Sequence, residues 1–295
     1  MSDKNTFFHQ KSSLNIDGRL LDISRPQVMG ILNVTPDSFY DGGRTTSEKQ
    51  LLLQTEQMLK EGAAILDLGA YSSRPNADHI SEQEETSRLI PALSSIVREF
   101  PQAVISVDTF RSGLARKAVE EGAHIINDIS GGEQDEQMFR TVSELKVPYI
   151  LMHMKGTPQT MLRESKYENL MDDVFQYFLG KLSSLKALGI TDVILDPGFG
   201  FAKTAEQSYE LLAKLDQFRM IGLPVLAGLS RKSMICKAIN TTTEMALNGT
   251  TAANTIALMK GAKILRVHDV KAAVEAVQIF EKTLGAGSPS TAHPY

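Results

Sequence analysis

Eight times along the chain a short apolar run ends in one or two polar side chains and passes into a helix-like stretch. The runs are VMGIL before Asn33, AAIL before Asp67, AVISV before Asp108, HII before Asn127, PYILM before His153, DVIL before Asp196, PVLAGLS before Arg231 and Lys232, and KIL before Arg266 and His268. Strands apolar on both faces must be covered on both, the condition of a parallel sheet flanked by helices. Eight such units predict one α/β domain, a (β/α)8 TIM barrel, typically about 250 residues, whose polar strand ends gather at the C-terminal mouth. A doubly wound open sheet is the alternative, but no G-x-G-x-x-G follows the first run and eight units are many for that fold.

Ahead of the barrel, SSLNIDGRLLDISR at 12–25 places turn residues between two short strand-like pieces, predicting an N-terminal β-hairpin that caps the barrel bottom. Strands are then expected at 28–33, to 69, and near 103–108, 124–129, 147–153, 193–196, 224–229 and 263–267. Helices are expected at 47–61, 81–100, 111–121, 134–145, 166–188 and 205–218, with a short extra helix before one reaching Lys260. Ser47 and Ser81 read as N-caps, and Ser81 with Glu84 as a capping box. Gly62, Gly122, Gly189 and Gly261 stand where left-handed C-terminal caps belong. The expected organisation is a flexible N-terminus at 1–11, a single domain over 12–284 and a disordered tail over 285–295.

A hydrophobic content of 42% is enough for a sizeable core. The net charge of -4, with no Lys/Arg run, argues against a nucleic-acid surface, so an anionic ligand must be held by a few focused groups. The single cysteine, Cys236, fits a reducing compartment and reads as a buried structural thiol. No apolar signal core or membrane-spanning run stands out, and cytoplasm is the expected location.

Two connections are long for this architecture: residues 33–44, NVTPDSFYDGGR, and 69–81, GAYSSRPNADHIS. At one mouth they read as mobile lids or as plain surface loops, and Asp41 and Arg74 favour lids. Asp108 and Asp196 end buried strands, where a carboxylate needs compensation. Each alone is equally accounted for by an ion pair with Lys232 or an Arg; with Asn127 they suit the N–H edges of a flat heterocycle such as a pterin or guanine. Arg266 and His268 alternate on one strand and so point the same way, and with Lys232 they form a cationic cluster suited to pyrophosphate, although His268 alone would read as a core histidine. Asn33 suits Mg2+, which takes few protein ligands when it bridges phosphates. His153 lacks metal-ligand spacing and reads as structural, and Ser230 lacks a nucleophile's signature.

Six segments, VMGILNVTPDSFYDGG, SSRP, SVDTF with IINDISGG, LDPGFGF, GLSRKSMI and LRVHDV, resemble in order those of the dihydropteroate synthase family, over about residues 14–282. The resemblance implies condensation of 6-hydroxymethyl-7,8-dihydropterin pyrophosphate with p-aminobenzoate, giving 7,8-dihydropteroate and pyrophosphate, in a homodimer that uses Mg2+. It implies that Asn33 touches metal and pyrophosphate, with Ser73, Arg74, Arg266 and His268 as further pyrophosphate ligands. The pterin pocket would comprise Asp108, Asn127, Met152, Asp196, Phe201, Gly228, Lys232 and Arg266. Phe39, Arg74, Pro75, Lys232 and Ser233 would hold p-aminobenzoate. Asp41, Asp108 and Lys232 are the expected catalytic groups, the carboxylates stabilising a pterin-methyl cation after SN1-like loss of pyrophosphate. No strong general base is then required, because an aniline nitrogen is already nucleophilic. The chain departs from the family pattern at GAYSSRPNA: many members carry Gly-Glu-Ser-Thr-Arg-Pro-Gly, so Tyr71 replaces an acid. The rivals are a methyltetrahydrofolate methyltransferase, which has no need of the SRKS element or the Arg266/His268 pair, and a catalytically silent pterin-binding barrel.

Overall fold

The hairpin is β1 (Ser13–Ile16) and β2 (Arg19–Asp22), antiparallel with Leu14 opposite Leu21. The computed structural model describes residues 11–34, 43–72, 79–161 and 163–286. After the hairpin come β3 (Gln27–Asn33), α1 (Gly43–Lys60), β4 (Ile65–Gly69), α2 (Glu82–Glu99), β5 (Ile105–Asp108), α3 (Ser112–Glu120), β6 (Ile125–Asp128) and α4 (Met138–Leu145). The second half comprises β7 (Tyr149–Met152), α5 (Leu170–Ala187), β8 (Val193–Asp196), α6 (Ala205–Ala213), β9 (Leu226–Ala227), α7 (Ser233–Ala238), α8 (Leu247–Met259), β10 (Ile264–Val267) and α9 (Val270–Ala286).

The eight parallel strands run in the order β8-β7-β6-β5-β4-β3-β10-β9. A parallel bridge between Leu195 and Val225, with Leu195 N donating to Pro224 O at 2.9 Å, joins the two ends and closes the barrel. β9 is shorter than the expected 224–229 at both ends, and at its start Pro224 has no N–H to give a ladder.

Alternation along each strand divides the core in two. Outward positions such as Val28, Leu66, Val107, Leu151, Leu195 and Leu265 pack beneath the helices. Inward positions near the strand starts, Met29, Ile65, Ile125, Ile150, Ile194, Leu226 and Ile264, form a second cluster together with Leu14 and Ile16 of the hairpin. The hairpin therefore plugs the bottom, and the inward positions left for chemistry lie towards the strand C-termini.

Helix ends follow local chemistry at some sites and override it at others. Gly62, Gly122, Gly189 and Gly261 take φ of +100°, +107°, +77° and +98°, the left-handed caps expected of them. Ser81 accepts from Glu84 N, but the Glu84 carboxylate turns to Arg88 one turn on, so only half of the capping box forms. Ser47 is no cap: α1 begins at Gly43, four residues earlier. The expected helix at 205–218 ends at Ala213, and 3-10 geometry takes over from Leu215 to Ile221. At the C-terminus α9 continues through Gly285 and Ala286, correcting the start of the expected tail; a glycine in a helix costs only about 1 kcal/mol. Cys236 is half-buried rather than buried. Among the described residues no helix is long and apolar enough to cross a membrane.

Candidate active site

The same alternation that sends isoleucines to the lower interior sends Asn33, Gly69, Asp108, Asn127, Met152, Asp196, Gly228, Arg266 and His268 inward at the upper end. Register places four of them on one level: Asn33 pairs with Gly69, Gly69 with Asp108, and Asp108 with Asn127. Met152 pairs with Asp196 on the other side of the ring. Gly69 matters for its missing side chain, since a Cβ there would lie 3.4 Å from Asp108 Cβ and 3.8 Å from Asn33 Oδ1.

Arg266 organises one half of this level. Its Nε donates to Asp67 Oδ2 at 2.5 Å and its Nη2 to Asp108 Oδ2 at 2.8 Å. Asn127 Nδ2 also donates to Asp67 Oδ2, at 3.0 Å. Burial by itself would depress the Arg266 guanidinium, but Asp67 and Asp108 more than offset it and hold it above its ordinary value. Burial lifts the Asp108 carboxyl, Arg266 opposes, and the neighbouring Asp67, Glu85 and Asp128 add to the lift. The cationic cluster expected at Lys232, Arg266 and His268 is therefore corrected in one respect: the Arg266 charge is already matched by two carboxylates. Asp67, fully buried, has no partner for Oδ1. It belongs to the site, and its only sequence signal was its place at the end of AAIL.

The other half is built on Asp196 and Lys232. Asp196 Oδ1 accepts from Gly198 N at 2.8 Å. Lys232 Nζ donates to Phe199 O and lies 4.7 Å from the Phe201 ring centroid, a cation–π distance. A Cβ on Gly228 would lie 3.9 Å from both Asp196 Oδ2 and Lys232 Nζ, so glycine keeps open the space beside this pair. Burial raises the Asp196 carboxyl above its ordinary value, opposed chiefly by Lys232. Burial pulls Lys232 down to about 8, with Asp196 opposing and Arg266 assisting.

A pH dependence follows. The ammonium that the nearby Asp196 charge supports is the protonated form, so a depressed pKa means that it is lost as pH rises through about 8. The kcat/KM for a pterin substrate, which reports the free enzyme, is expected to fall on an alkaline limb near pH 8, and Lys232→Arg should move that limb beyond about pH 10. A flat profile from pH 7 to 9 in the unmodified enzyme would refute the assignment.

His268 is exposed rather than a core residue; its Nδ1 lies 3.0 Å from Ser230 Oγ, and its N–H donates to the same oxygen at 3.2 Å. Ser233, also exposed, opens α7 directly after Lys232. Arg231 instead serves the scaffold, gripping Asp269 through two bonds of 2.8 Å. His153 is buried against Lys203, 2.8 Å from its Nζ, and Lys203 carried no sequence signal. Phe39, Asp41, Ser73, Arg74 and Pro75 lie outside the described residues. Tyr71 is described: its hydroxyl accepts from Gln159 Nε2 at 2.8 Å and lies 3.1 Å from His79 Nδ1, while its ring packs edge-on against Phe110. Hydrogen bonding and ring contact thus take the place of the acid common in the family pattern. Among the described residues no group of three or more His, Cys, Asp or Glu could hold a metal ion.

The chain matches the family model described as pterin binding enzyme over residues 29–268. It is 42% identical to the dihydropteroate synthase of Haemophilus influenzae, over 92% of this chain and 99% of that protein, and 43% identical to that of Escherichia coli, over 91% and 95%. Among solved structures, the Yersinia pestis dihydropteroate synthase in a sulfonamide drug complex superposes with a TM-score of 0.87 at 41% identity, covering 92% of this chain and 99% of that one. The Xanthomonas albilineans enzyme with 4-aminobenzoic acid gives a TM-score of 0.87 at 37% identity, covering 94% and 99%. A closed barrel with acids, amides and cations at one rim, matched over nearly its full length by these enzymes, makes the chain a member of the dihydropteroate synthase family of pterin-binding enzymes.

Proposed function

We propose that the barrel mouth joins the methylene carbon of 6-hydroxymethyl-7,8-dihydropterin pyrophosphate to the amine of p-aminobenzoate, releasing pyrophosphate and 7,8-dihydropteroate. The observation that carries this reading is the gathering of carboxylates and cations at one rim: Asp196 in the same pocket as Lys232, and Arg266 bonded to both Asp67 and Asp108. Carboxylates accept from the N–H edge of a pterin, Asn127 offers both a donor and an acceptor, and Arg266 covers the ring. Met152, 2% exposed, and Phe201 supply apolar contact, and Gly228 leaves room for the ring.

His268, at the rim, and Arg266 are assigned to the pyrophosphate, with Ser73 and Arg74 from the second long connection. Asn33 is a neutral oxygen donor next to Asp108, and this fits Mg2+ held mainly by water and substrate phosphates rather than by a protein cage. When bound, that ion neutralises charge on the departing pyrophosphate. Asp108 and Asp41 would stabilise positive charge developing on the pterin methylene as the C–O bond breaks, an SN1-like course. The arylamine nitrogen then bonds to that carbon and passes its proton to water. Phe39, Arg74, Pro75, Lys232 and Ser233 are assigned to the p-aminobenzoate side.

A homodimer in the cytoplasm completes the proposal. Met220, Met259 and Leu284 line one open hollow of about 1170 Å³, and Ile256 and Ile279 lie exposed on the adjoining helices α8 and α9, apolar surface suited to a second copy.

With Mg2+, purified protein is expected to release pyrophosphate only when both pterin pyrophosphate and p-aminobenzoate are present. Pterin binding without turnover would favour the silent barrel. Methyl transfer to a corrinoid would favour the methyltransferase.

A further inference from the structure

Lys203 is 4% exposed, and among the described residues none of its hydrogen bonds goes to a carboxylate. A buried ammonium is costly unless its donors are satisfied. Here Nζ lies 2.8 Å from His153 Nδ1 and 3.1 Å from the carbonyl oxygens of both Gly198 and Phe201, with His153 O further off at 3.4 Å. Burial pushes the Lys203 group well below its ordinary value, with Asp196 opposing, so its proton depends on these contacts: three close acceptors match the three N–H bonds of an ammonium. The imidazole can serve as one of them because burial, with Lys203 and Lys155 adding to the effect, pushes His153 down to about 2 and leaves it neutral.

The acceptors define what Lys203 holds. They belong to the end of β7 and to the turn at 197–203, where Gly198, Gly200 and Ala202 take φ of +70°, +76° and +48°. A Cβ on Gly198 would lie 2.1 Å from His153 O, so the turn is pressed against the β7 terminus. A segment with this much left-handed backbone has no ladder of its own and must have its shape imposed. That shape reaches the pocket twice: Gly198 N donates to Asp196 Oδ1, and Phe199 O accepts from Lys232.

We propose that Lys203 is a positioning residue for the pterin subsite, its ammonium clamping the 197–203 turn to His153 so that the backbone of that turn aims Asp196 and Lys232 at the ligand. The inference rests on the pterin-binding reading given under Proposed function.

The test is Lys203→Met, which keeps an unbranched side chain one atom shorter and removes its donors. Binding of 6-hydroxymethylpterin is followed by fluorescence, alongside the melting temperature and the KM for p-aminobenzoate at saturating pterin substrate. The pterin Kd is expected to rise about tenfold or more, by a larger factor than the p-aminobenzoate KM, because Asp196 serves only the pterin while Lys232 serves both ligands. A folded variant with pterin affinity within about twofold of the parent would overturn the proposal, because a lysine that only stabilised the barrel would lower the melting temperature and leave affinity intact. Should Lys203→Met fail to fold, His153→Leu and His153→Asn decide. Leucine deletes the acceptor and should weaken pterin binding, asparagine restores an oxygen near Nδ1 and should recover it, and equal affinity in the two sinks the idea. Failure of the unmodified enzyme to bind pterin or release pyrophosphate would instead take down the functional reading, and this inference with it.

Discussion

In an Asp196→Asn variant, pterin affinity is expected to fall by about two orders of magnitude or more, with the barrel still folded. An ionised carboxylate only accepts, as the N–H edge of a pterin requires; an amide in its place presents an NH2 to one of those donors and leaves both without a partner. The loss is compounded at Lys232, whose half-buried ammonium is supported chiefly by Asp196. Without that charge the lysine becomes harder to protonate, so the alkaline limb of any residual activity should move below pH 8. Calorimetric titration with a pterin, with circular dichroism as the check on folding, measures the effect. Near-parental affinity would remove Asp196 from the site.

Arg266→Met is expected to give the largest stability loss, about 3–5 kcal/mol, because it leaves carboxylates in the barrel interior without their counter-ion. At this chain length that corresponds to a fall in Tm on the order of 10 °C. The pH dependence follows from Asp108. Its carboxyl is already raised by burial against the pull of Arg266, and deleting Arg266 raises it further. A carboxyl raised in the folded state contributes stability that is fully present below its unfolded pKa and is lost as pH rises through the folded value. The deficit should therefore narrow between pH 8 and pH 5. Thermal melts across that range give the answer, and a deficit that is small or independent of pH would contradict the ion-pair account.

Period-two alternation is local, so the assignment of strand ends to the barrel mouth was readable from single runs: Asn33, Asp108, Asn127, Asp196 and Arg266 all sit where alternation sends them. The glycine caps were legible for the same reason, since a left-handed residue after a helix depends on a few neighbours. The failures have a different character. Ser47 looks like a cap but lies inside α1. Asp67 looked like one strand end among eight and is the buried anchor of Arg266.

What the amino-acid order determined by itself was the architecture and the list of polar groups that reach its upper rim, because hydrophobic period and turn chemistry act over a few residues. Which charge meets which was decided only by closing the barrel. Arg266 finds Asp67 and Asp108 across 199 and 158 residues of chain, and Lys203 meets His153 across 50. An isolated strand carries no information about the residue that will face it across the barrel, and burial, which sets the cost of each unpaired charge, exists only once all eight strands have come together.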